Sequence, residues 1–158
     1  MRLYLPATAT DLRDPAGITP RWAHAVTPAL RVELPDEDEE GLEMTATLAA
    51  ADESVRLIAA DGSVPRRVVV VADVGDAAVQ VPEVLGEEQL PTAVELVSTV
   101  RWFDVVTLHV DEPEAAGDVR AAAAGDDDAL ERAAERDLLW FDVVELDDLR
   151  AELAAEAR

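Results

Sequence analysis

The densest apolar run in the chain lies at Arg66–Val74, which reads Arg-Arg-Val-Val-Val-Val-Ala-Asp-Val. Consecutive valines are stiff at χ1 and suit a pleated surface better than a helix. A continuous run, where a half-exposed strand would alternate, predicts a strand covered on both faces. Asp61-Gly62 and Pro65 before it and Gly75-Asp76 after it supply turn chemistry at both ends. The pattern upstream changes period. Met44, Leu48, Ala51, Val55 and Ile58 are spaced 4, 3, 4 and 3 apart, one face of an α-helix. The acidic run Asp36–Glu40 sits where carboxylates favour a helix start, and Gly62 suits a left-handed C-cap. A helix from about 38 to 60, packed on the sheet, is therefore expected.

The remaining segments are shorter. Leu3–Leu5 predicts a first strand stopped by Pro6, and Thr8 or Thr10 a cap for a short helix through Leu12. Trp22–Val26 reads as a short extended piece. Thr27-Pro28 reads as an N-cap with proline at the first helical position, opening a helix over Ala29–Leu34. Val79–Val81 is briefly extended. Ala93–Val100 and Val105–Val110 predict strands joined through Trp102-Phe103-Asp104. A helix follows from Pro113 to about Ala124, broken by Gly125, and Asp126–Asp128 cap a second one to about Arg136. Leu138–Val144 predicts a last strand, and Asp147 or Asp148 caps a terminal helix. Helices and strands interleave, but the middle strands run consecutively. The expected architecture is a single α+β domain over residues 1–158: a mixed sheet of about five strands, a long helix packed on it and a helical C-terminal part.

Composition sharpens this in two respects. With no cysteine among 158 residues, disulfides, thiolate nucleophiles and cysteine-held metals are excluded. The net charge is −22, and every basic side chain is an arginine. A GC-rich genome or a salt-adapted proteome accounts for such acidity without invoking function, since charge governs solubility and encounter rather than fold. Thirteen Lys+Arg against 35 Asp+Glu, with no basic stripe, argue against direct nucleic-acid binding. No apolar run reaches membrane-span length and the N-terminus lacks a signal-peptide core, so a cytoplasmic protein is expected.

Candidate chemistry is sparse. His109 shares a strand face with Thr107 and Asp111, so a general base or metal ligand beside a carboxylate is one reading and a local structural pair the other. One His with one Asp falls short of a zinc ligand set, and no metal or cofactor is expected. Thr8, Thr27 and Arg31 could ring a small anionic pocket, although both threonines suit helix caps. Trp22, Trp102, Trp140, Phe103 and Phe141 read as core filling rather than a stacking platform, with Trp140 buried. Arg66-Arg67 could bind phosphate, but beside so much acid it reads as a surface ion-pair site. Phosphate loops, nucleophile elbows and zinc-protease helices are absent.

Taken in order, Tyr4-Leu5-Pro6-Ala7-Thr8, Ala25–Arg31, Arg66–Val69 with Ala72-Asp73-Val74, His109-Val110-Asp111 and Leu138-Leu139-Trp140 resemble an actinobacterial family of small cytoplasmic proteins of unknown function. That resemblance implies one fold over nearly the whole chain and carries no activity. A second likeness, to ADP-ribosyltransferase-like folds, lies in element order. It would require an NAD-gripping residue on the first strand, which Tyr4–Thr8 lacks, and a glutamate that only Glu95 or Glu145 could supply. The leading expectation is a non-enzymatic acidic protein acting through a protein partner. The alternatives are a small-molecule or nucleotide pocket near Thr8, Thr27, Arg31 and His109, and an acidic nucleic-acid mimic.

Overall fold

A computed structural model describes all residues, Met1–Arg158. The strands are β1 (Arg2–Ala7), β2 (Arg21–His24), β3 (Val68–Asp73), β4 (Val79–Gln80), β5 (Ala93–Leu96), β6 (Val105–Asp111) and β7 (Leu138–Asp142). The helices are α1 (Pro28–Glu33), α2 (Glu39–Asp61), α3 (Ala116–Ala123), α4 (Asp127–Ala134) and α5 (Leu146–Glu156). The α+β class is as expected, but the sheet has seven strands rather than about five, in the order β4-β5-β2-β1-β3-β6-β7. Every pairing is antiparallel, so the sheet is not mixed.

The valine run is β3, an interior strand between β1 and β6, and it is covered on both faces. Its two sides enter different cores because successive side chains point to opposite faces. Val68, Val70 and Ala72 join Leu3, Leu5 and the α5 residues Leu146, Leu149 and Leu153 in a buried cluster of 19 residues. Val69 and Val71 meet Tyr4 and the α2 residues Ala46, Ala50 and Ala51 on the other side. Ile58 of α2 packs with Ala115, Val119 and Ala133, which places α3 and α4 on the α2 side.

Helix α2 begins where the sequence pattern places it. Asp38 caps it by accepting a hydrogen bond from the Gly41 N–H, and Gly62 ends it at φ 70°. Its rotation differs from the expected one. Ala51, Val55 and Ile58 are buried as expected, but Met44 and Leu48 are 55% and 41% exposed. The residues that meet the sheet are instead Ala46, Ala50, Ala51 and Ser54, with Leu42 and Ile58 buried toward the two ends of the helix. Alanine and serine let the helix axis approach the valine surface closely. Ser54 then reaches the backbone itself, donating to the Ala7 carbonyl at 2.7 Å and accepting from the Val68 N–H at 3.1 Å.

Further expectations are overturned. Arg66 and Arg67 are fully buried, not surface residues. Arg67 lies against Asp111 and Arg66 reaches the C-terminal helix, donating to the Asp111 carbonyl and to Glu152 and Glu156. Trp140 is 59% exposed instead of buried, because β7 is an edge strand, and Trp22 and Phe103, also expected as core filling, are 43% and 90% exposed.

Candidate functional site

The five sequence-nominated residues do not share a pocket. Thr8, fully buried just beyond β1, donates its hydroxyl to Asp61 at 2.7 Å, and its N–H bonds Asp11, which Arg21 grips at 2.8 and 3.0 Å. Thr8 thus stitches the first turn to the end of α2. Thr27 caps α1, accepting from the Leu30 N–H at 3.0 Å and donating to the Pro91 carbonyl. Arg31 is exposed and forks onto Glu39. Asp111 is wholly committed to Arg67: its carboxylate accepts the Arg67 backbone N–H, Nε and Nη2 at 2.8, 2.9 and 2.8 Å. The expected pairing of Asp111 with His109 is therefore replaced by Arg67, the residue just before β3. His109 lies within β6, and burial lowers its pKa, the reverse of what an adjacent carboxylate would do. Glu95 faces solvent on β5, and Glu145 closes a capping box by accepting from the Asp142 N–H. No three His, Asp or Glu side chains converge as a metal would need.

His109 does line a cavity. It sits in a cross-strand row with Val69 on one side and Trp140 on the other. His109 and Trp140, together with Tyr4, Val71 and Thr107, floor a groove of about 740 Å³ between α2 and the β6–β7 edge. The outward-turned Met44 and Leu48 form one wall, and the α4–β7 turn, Ala134–Leu138, forms the other. Four carboxylates stand in the lining: Glu40 and Glu43 from α2, and Glu135 and Asp137 from the turn. None has an ion-pair partner, whereas both arginines in the lining are engaged: Arg2 with Asp73, and Arg136 with Glu112 and Asp118. Burial pushes the Tyr4 hydroxyl up to about 12, aided by the negative charge of Glu43. The groove is thus an apolar, aromatic floor with an uncompensated acidic rim. It lies beside the outer edge of β7, whose backbone has no strand partner.

The sequence placed Thr107 on the face of His109 but put Trp140 in the core and left out the acidic rim. Met44 and Leu48 carried the available signal: they are the apolar positions that fall outside the Leu42–Ala46–Ala50 row.

The fold and groove define a class: an α+β fold built on one antiparallel sheet, with helices on both faces and an open acidic groove at one edge. By sequence the chain belongs to DUF6912, a family of unknown function whose model matches residues 1–149. No curated protein and no solved structure matches it. No helix is long and apolar enough to cross a membrane.

Proposed function

We propose that this is a non-enzymatic, cytoplasmic binding protein whose groove takes a basic, extended segment of a partner protein. The observation that carries the reading is Trp140: a 59% exposed indole on an edge strand, in a groove whose four rim carboxylates lack partners. A segment added antiparallel to β7 satisfies its free N–H and C=O groups. Alternate side chains of that segment then fall on the groove face, in line with Leu138 and Trp140. Arginine or lysine at those positions meets the indole face and the carboxylates together, and desolvation makes both contacts stronger than at an open surface.

The test is a titration with a fluorescein-labelled peptide of alternating arginine and leucine, followed by anisotropy and compared with the glutamate–leucine counterpart. The basic peptide should bind, more weakly as salt rises, and Trp140→Ala should weaken it about tenfold. Equal binding of the two peptides, or indifference to Trp140→Ala, refutes the reading.

A further inference from the structure

A second cavity, of about 550 Å³, lies on the opposite flank of α2, between that helix, the outer face of β2 and the α3–α4 corner. Its walls are made small by Ala23, Ala49, Ala59, Ala93, Ala122 and Ala123. None of the residues discussed for the groove enters it. Trp22 and His24, two apart on β2, present their side chains on the same face into this space.

His24 is only 6% exposed, and burial lowers its pKa to about 4, so the imidazole is neutral at physiological pH. Nδ1 lies 2.8 Å from the Thr92 hydroxyl, and Nε2 has no protein partner and keeps some accessible surface. Thr92 makes no other side-chain hydrogen bond, so its hydroxyl can either donate to Nδ1 or accept from it. Nε2 is thereby free to act as donor or acceptor toward whatever enters. A nearly buried ring with one unpartnered, accessible nitrogen, lining an alanine-walled cavity, is arranged for a ligand rather than for packing.

The charges in the lining select the ligand. Asp52, Glu53 and Glu88 are acidic, and Arg56, the sole base, is engaged by Glu53 at 3.3 Å. Asp52 has no ion-pair partner; its side chain is exposed on α2, and partial desolvation there raises its pKa despite the opposing charges of Arg67 and Arg56. Phosphates and carboxylates are repelled here, and a cation is welcomed.

We propose that this cavity binds a small aromatic amine, its ring against Trp22, its ammonium on the Asp52 carboxylate and an N–H directed at His24 Nε2. The bond to Nε2 uses the tautomer in which Nδ1–H donates to Thr92.

Saturation-transfer NMR with tryptamine and indole-3-acetate tests this, since the two probes share a ring and differ in charge. Tryptamine should give a signal and indole-3-acetate none. Ala59→Phe, at an exposed position of α2, fills the mouth without touching the core and should abolish the signal. Asp52→Asn should weaken tryptamine about fivefold. Trp140→Ala should leave it unchanged, which separates this cavity from the groove. The proposal is overturned if both probes bind alike, if Ala59→Phe has no effect, or if the signal follows Trp140 instead.

Discussion

The Arg67 guanidinium and the Asp111 carboxylate form a two-pronged pair, Nε to Oδ2 at 2.9 Å and Nη2 to Oδ1 at 2.8 Å, with both side chains at most 1% exposed. Arg67 also donates to the Ala133 carbonyl, so the pair ties β3, β6 and α4 together. Removing one member leaves a buried charge uncompensated. Asp111→Ala is expected to cost about 3–5 kcal/mol, whereas replacing both residues with apolar ones of similar volume should cost much less. Urea melts of the single and double variants decide this.

The rotation of α2 makes a paired prediction. Leu48 is 41% exposed, so Leu48→Ala should cost about 1 kcal/mol. Ala50 is fully buried against the valine surface, so Ala50→Leu should cost about 1–3 kcal/mol through overpacking. The reverse ranking in denaturant melts would mean that Met44 and Leu48 face the sheet.

His24 sets a pH dependence. Its folded pKa of about 4 lies below the ordinary 6.5, so the unfolded chain binds a proton first as pH falls. The stabilisation is complete above pH ~6.5 and is lost progressively as pH drops toward ~4, amounting to about 3 kcal/mol. His109 contributes in the same direction. With only two histidines, imidazole NMR titration is direct: both midpoints should fall below the usual range, His24 the lower. A His24 midpoint near 6.5 would show the ring to be solvated.

Net charge predicts a salt response. At −22, self-repulsion opposes the compact state, and screening relieves it. The thermal midpoint should be higher in moderate sodium chloride than in dilute buffer. A falling midpoint would mean that the arginine ion pairs contribute more than the repulsion costs.

Local chemistry was readable in the chain, and long-range chemistry was not. Asp38, Gly62 and Thr27-Pro28 bound their helices as their residue types dictate, because caps act within a few residues. The valine run announced a doubly covered strand. Nothing near Arg67 announces its burial, because its partner Asp111 lies 44 residues away. The strand number was underestimated because β2 spans four residues and β4 two, so both read only as short extended pieces rather than as strands of the sheet. Trp140 sits in an apolar quartet, Leu-Leu-Trp-Phe, that resembles core, and only its position at the end of the strand order exposes it.

That exposed edge has a colloidal consequence. A five-residue strand bearing Leu-Leu-Trp-Phe with a free backbone is a template on which a second copy can stack, the first step toward a fibril. At neutral pH, like charge holds the copies apart, and Asp137 and Asp142 stand guard at the two ends of the strand. As pH falls toward the isoelectric point near 4.1, that protection disappears while the edge remains, so mild acid is where this protein should polymerise.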